Sequence, residues 1–137
     1  MQETKFAVSV HLMTALAYNP GKIMSSEELS KSLCTNPSFV RKLVVSLSNA
    51  GLVQSQRGKT GGVQLSKPPA EISLSEIYTA ISERNVIELP QKDPYLGCPV
   101  SKSIGIIMED VSNKMETSIL NSLSKINLSE ILTQIKV

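Results

Sequence analysis

Apolar residues recur every three to four positions along most of the chain, and the breaks in that rhythm carry the signals that end helices. From Lys5 to Tyr18 the stripe is Phe6, Val10, Met13 and Ala17, widened by Leu12 and Leu16. Asn19-Pro20-Gly21 stops it. Ser25-Ser26-Glu27-Glu28 then has the spacing of a capping box, with Ser25 as N-cap and Glu28 reaching back to it. The short helix it opens has Leu29 and Leu33 on its inner face, and Cys34-Thr35 follows as a tight turn. Asn36-Pro37 starts the next helix, because Asn caps well and a proline at the first helical position loses no needed donor. Val40, Leu43, Val44 and Leu47 form its buried stripe, and Gly51 closes it in the left-handed conformation. Short helix, tight turn, second helix: this order predicts a helix-turn-helix.

Beyond Gly51 the period changes. "LVQSQR" and "GVQLSK" alternate apolar and polar residues on either side of a glycine-rich loop, which predicts a β-hairpin ended by Pro68-Pro69. Ser73-Leu74-Ser75-Glu76 reads as a second capping box, opening a helix with Leu74, Ile77, Tyr78 and Ile81 inside. Residues 85–100 are irregular, with Pro90, Pro94, Gly97 and Pro99. A long amphipathic helix is expected from Ser101 to Lys125, its stripe being Ile104, Ile107 or Met108, Val111, Met115, Ile119 and Leu123. A last short helix after Asn127 carries Leu128, Ile131, Leu132 and Ile135. The fold class is therefore mainly α with a small β-hairpin: a winged helix-turn-helix over 1–83, an irregular linker or sensor segment over 84–100, and a dimerisation helix with a short C-terminal helix over 101–137.

With 137 residues, 41% hydrophobic and 19% charged, the chain can build one real core. Cys34 and Cys98 are too few for a disulfide framework and lack metal-ligand spacing, and His11 is the sole histidine, so no metal is expected. Neither a membrane span nor a signal peptide is evident, which makes a cytoplasmic location the expectation. Charge is divided unevenly. Residues 1–67 hold eight Lys/Arg and three Glu, a net of +5, whereas residues 68–137 hold six Lys/Arg and nine Asp/Glu, a net of −3. An anionic partner for the front half follows from that imbalance.

The loop "RGKTGG" (57–62) can be read in two ways. Gly58-Lys59-Thr60 ends like a nucleotide-binding P-loop, but that motif needs a glycine where Val53 stands, and a helix after the loop rather than a strand. A hairpin wing fits better. Glycine admits a close approach to a phosphodiester, and Arg57 and Lys59, with Thr60 and Gly61 beside them, supply charge and donors. Alone, such a loop is an ordinary surface hairpin with solvated cations. Directly behind a helix-turn-helix it is placed to meet DNA.

The block from Asn36 to Ile81 resembles the signature segment of the Rrf-two family of bacterial winged-helix transcription regulators. The matching features are Ser38-Phe39 opening the recognition helix, Leu43 and Leu47 before Ala50-Gly51-Leu52-Val53, the Arg57-Gly58…Gly61-Gly62 wing, Pro68-Pro69, and Ile72-Ser73-Leu74-Ser75-Glu76-Ile77. The resemblance implies a cytoplasmic, dimeric, sequence-specific DNA-binding regulator, a repressor rather than an enzyme, acting on double-stranded DNA with a pseudo-palindromic operator. Cluster-binding members present three cysteines ahead of the long helix, and here only Cys98 lies there, so no cofactor is expected. The family wing "GPGGGY" reads Gly58-Lys59-Thr60-Gly61-Gly62-Val63, and Arg41 stands where the cluster regulator is acidic, which implies a different DNA target.

Roles follow from the buried stripe of the recognition helix, which leaves Ser38, Phe39, Arg41, Lys42, Val45 and Ser46 outward or marginal. Arg41 is the expected base reader, Lys42 and Ser38 phosphate contacts, and Phe39 either a thymine contact or core. Ile104, Met108, Val111 and Met115 have coiled-coil-like spacing and are expected to form the homodimer seam. Cys98 is a candidate redox thiol, Cys34 is expected in the core, and His11 is expected to pack rather than to ligate. No catalytic set is present. The competing reading is a protein-interaction module that docks a partner enzyme through the long helix and has little use for DNA. The residues name no effector, protein or small molecule.

Overall fold

In the computed structural model, which describes residues 2–82 and 87–136, the expected order of elements is present. Helix α1 is Gln2–Tyr18, α2 Ser26–Leu33 and α3 Pro37–Asn49; strands β1 (Val53–Gln56) and β2 (Gly62–Leu65) follow, then α4 (Leu74–Ile81), α5 (Pro99–Leu123) and α6 (Leu128–Thr133). The proposed boundary at 83/84 lies outside the described residues. Among them, no helix is long and apolar enough to cross a membrane.

One core joins these pieces. Leu12, Met13 and Leu16 of α1 meet Leu29 of α2, Leu43 and Leu47 of α3, Val63 of the hairpin and Ile77 of α4, all buried. Phe6 stays half-buried and sets its ring edge-on to Tyr78, centroids 5.5 Å apart. The end of the chain returns to this core. Leu128 is fully buried in it, the Leu128 N–H donates to the Ile72 carbonyl at 3.0 Å, and the Leu74 N–H donates to the Ile126 carbonyl at 2.8 Å. Thus α6, on the far side of the long helix in sequence, shares the core of the winged domain.

Three expectations are corrected. The long helix starts at Pro99 rather than Ser101: Cys98 is its N-cap, Pro99 takes the first helical position, and Ser101 instead accepts the Tyr95 N–H through its hydroxyl at 2.8 Å. It closes at Leu123, with Ser124 as C-cap. Only half of the second capping box forms. Ser73 Oγ accepts the Glu76 N–H, but the Glu76 carboxylate meets the Ser73 hydroxyl (Oε1, 3.5 Å) rather than the Ser73 N–H, and its Oε2 lies 2.8 Å from Lys67 Nζ, tying the foot of the hairpin to α4. Cys34 is not in the core. It is the left-handed residue (φ 54°) that turns the chain between α2 and α3, and this geometry points its side chain into solvent, Sγ 3.7 Å from the Lys31 carbonyl oxygen.

Candidate nucleic-acid interface

Local chemistry fixes the two helices of the helix-turn-helix. Ser25 Oγ accepts the Glu28 N–H at 3.1 Å and Glu28 Oε1 accepts the Ser25 N–H at 3.4 Å, which completes the first capping box. Lys22 Nζ sits 3.0 Å from Glu28 Oε2. The Lys22 ammonium, and after it the Ser25 N–H, hold the Glu28 carboxyl below its ordinary value. After the Cys34 turn, Asn36 Oδ1 accepts the Phe39 N–H at 2.9 Å and caps α3. At its other end Gly51 adopts φ 77°; the Gly51 N–H reaches the Ser48 carbonyl and the Leu52 N–H the Leu47 carbonyl, the paired bonds of a Schellman motif. This abrupt stop delivers Leu52 and Val53 straight into the core and fixes where the hairpin begins.

Helix α3 has two opposed faces. Val40, Leu43, Val44 and Leu47 are buried, whereas Ser38, Arg41, Lys42 and Val45 are exposed along the other side. The Arg41 guanidinium lies over the first turn, Nη2 donating to Ser38 Oγ at 3.4 Å. Phe39 is half-buried against the core, so its ring serves packing at least in part. Ser46 is half-buried at the margin.

The loop "RGKTGG" joins two antiparallel strands in the register Val53↔Leu65, Gln54↔Gln64, Ser55↔Val63 and Gln56↔Gly62. A strand follows the glycines, as the wing reading requires. Val63 also exchanges backbone hydrogen bonds with Met24, at 2.9 and 2.8 Å, so the hairpin is rooted on the segment that leads into α2. Gly58 has φ 108°, a conformation that side chains resist. Gly61 is needed for space: a Cβ there would overlap the Gln56 carbonyl oxygen and lie 2.8 Å from the Arg57 carbonyl carbon. Arg57, Lys59 and Thr60 are exposed on the resulting tip.

Apart from Lys31 on α2, the basic residues from Lys22 to Lys67 divide into two sets. Lys22 and Lys67 are held by Glu28 and Glu76. Arg41, Lys42, Arg57 and Lys59 form no ion pair among the described residues and stand on the outer face of α3 and on the wing. Unpaired surface cations are inexpensive to bring against phosphate, since no internal partner has to be displaced. Sequence reasoning missed the pairing of Lys67 because its partner lies nine residues on, across the Pro68-Pro69 break. His11 is exposed on α1 with Nε2 3.1 Å from Ser32 Oγ, a surface tie between α1 and α2.

On α5 the residues of the expected seam lie outside the core. Ile104, Val111 and Met115 are exposed at 45%, 37% and 38%, and Met108 is half-buried. Ile107 next to them is exposed as well, while Ile119 and Leu123 at the far end are half-buried.

Comparison with known proteins places this geometry. The Rrf2 (Rrf-two) family model, described as an iron-dependent transcriptional regulator, matches residues 2–134. YwnA of Bacillus subtilis, named as an HTH-type regulator, is 27% identical over 135 residues, 98% of this chain and 99% of its own. A solved structure described as that of a candidate DNA-binding protein superposes with a TM-score of 0.74 at 30% identity, covering 93% of this chain and 98% of that one. The fold of CymR, the global cysteine regulator of B. subtilis, is shared at a TM-score of 0.69 and 20% identity over 96% of this chain and 95% of that one. The iron in the family description does not fit the donors present here. Cys98 is the single thiol of the segment before α5, Cys34 faces solvent in the α2–α3 turn, and His11 is engaged with Ser32. The described residues bring no three His, Cys, Asp or Glu side chains together as a metal site.

Proposed function

The chain belongs to the Rrf2 family and is a DNA-binding transcription regulator, not an enzyme; on that premise we propose that it is a cluster-free, homodimeric repressor of the cytoplasm that recognises a pseudo-palindromic operator. The observation that carries the proposal is the set of unpaired cations on α3 and on the wing. In this reading Arg41 takes a guanine edge, with the bidentate geometry that makes Arg–G the commonest specific contact. Ser38 and Lys42 hold phosphates on either side, and Arg57, Lys59, Thr60 and the Gly61 backbone grip the phosphodiester beside the groove. Phe39 supports α3 from beneath.

Dimerisation would run along α5 through Ile104, Met108, Val111 and Met115, an apolar strip that the single chain leaves largely uncovered. The division of labour is then DNA reading by residues 1–83, a connecting segment over 84–98 and pairing by α5, with α6 returned to the core of the first. Cys98, half-buried at the start of α5, is the thiol in position to report redox state to that seam.

The test is selection of bound fragments from the host genome, followed by footprinting of the best one. Protection of two related half-sites whose centres lie about one helical turn, roughly 10 base pairs, apart or a multiple of it supports the proposal. Recovery of fragments with no shared sequence would contradict it.

A further inference from the structure

We infer that Val45 is a second base reader, whose branched side chain packs on the 5-methyl group of a thymine in the major groove. The inference rests on the DNA-binding reading above and adds the chemistry of one more base position. Ser38, Arg41, Lys42 and Val45 stand at i, i+3, i+4 and i+7 of α3, a spacing that aligns them on one helix face. All four are exposed, on the side opposite Val40, Leu43, Val44 and Leu47. Homeodomains read the major groove from four positions with this same spacing on their third helix.

Three of the four residues are polar or cationic. The fourth is a valine with 59% of its surface exposed, and it is not among the residues that pack on the core. A solvent-facing valine is also a poorer helix former than alanine or lysine would be at this place, so local helix stability does not account for it. Contact with a ligand does. The thymine methyl is the apolar feature that base edges offer in the major groove, and apolar side chains contact it. Val45 lies four residues beyond Arg41, about 6 Å along the helix axis. Successive base pairs are about 3.4 Å apart, so the thymine falls one or two base pairs from the guanine read by Arg41. The β-branched side chain has few rotamers to lose, which suits it to this contact.

The experiment uses the full chain and the operator recovered by genomic selection. Each thymine of one half-site is replaced singly by uracil, which removes the 5-methyl group and keeps the base pair. Wild-type protein should lose roughly fourfold in affinity at one position, the worth of one buried methyl-sized group. Val45→Ala, exposed and favourable to helix, should fold normally, bind the thymine operator more weakly, and be indifferent to uracil at that position. A flat uracil scan with wild-type protein, or a uracil penalty that persists in Val45→Ala, overturns the assignment while leaving site-specific binding intact. Wild-type protein with no operator preference overturns both.

Discussion

Removing the side chain of Leu128 tests whether the end of the chain is part of the DNA-binding domain. Leu128 is fully buried in the common core, and it is bracketed by the hydrogen bonds that join residues 126–128 to Ile72 and Leu74. Leu128→Ala deletes apolar atoms and leaves a cavity, a combination that costs about 2–5 kcal/mol in well-packed cores. Against a total stability of about 5–15 kcal/mol this is a large share. With an m-value of about 1–3 kcal/mol/M, the urea midpoint should fall by roughly 1–2 M. Ile135→Ala is the control: Ile135 lies beyond α6 and is 45% exposed, and such surface changes stay within about 0.5 kcal/mol. Both variants are unfolded at one fixed protein concentration, because association would shift the midpoint by mass action. Equal midpoints for Leu128→Ala and Ile135→Ala would refute the shared core.

Three further outcomes are expected. Val111→Glu puts a carboxylate among Ile104, Met108 and Met115, where its desolvation is unfavourable; light scattering should report monomers, and a stable dimer would place the seam elsewhere. Gly61→Val must push the Gln56 carbonyl aside, so affinity for DNA of any sequence should fall although no charge changes, and unchanged affinity would mean the wing tip is not at the interface. Protein purified without oxygen should be colourless and free of stoichiometric iron and sulfide, because Cys98 is the single thiol of the segment between α4 and α5; a brown protein would sink the cluster-free reading.

Features set by residues close in sequence were legible. Ser25 and Asn36 cap the helices that their spacing predicted, and the helix expected after Asn127 is present, with Asn127 as its cap, since a cap is decided within three residues. Gly51 and the wing glycines were equally readable, because each answers a backbone demand at its own position. Cys34 was misread: residue type alone favours burial, whereas the left-handed turn it occupies directs it outward. Glu76 was half misread: one carboxylate oxygen pairs with Lys67 across the Pro68-Pro69 break and the other faces the Ser73 hydroxyl rather than the Ser73 N–H. The return of Leu128 to the core had no local signal, its partner Ile72 being separated from it by the whole of α4 and α5. At the site, the outward face of α3 could be read from its buried stripe, but the isolation of Val45 on that face could not, since what packs beside a residue is a property of the fold.

The division of labour between α3 and the wing is tested most directly by the ratio of operator affinity to random-DNA affinity, measured across a salt series for wild type, Arg41→Ala and Lys59→Ala. A base-reading arginine contributes about 1–3 kcal/mol of discrimination. The ratio for Arg41→Ala should therefore fall by roughly 5- to 150-fold while much of the random-DNA binding remains. For Lys59→Ala the ratio should hold, both affinities should drop together, and the salt slope should lose about one unit, for one phosphate contact fewer. An Arg41→Ala protein that keeps its ratio, beside a Lys59→Ala protein unchanged on both DNAs at every salt concentration, would contradict the account.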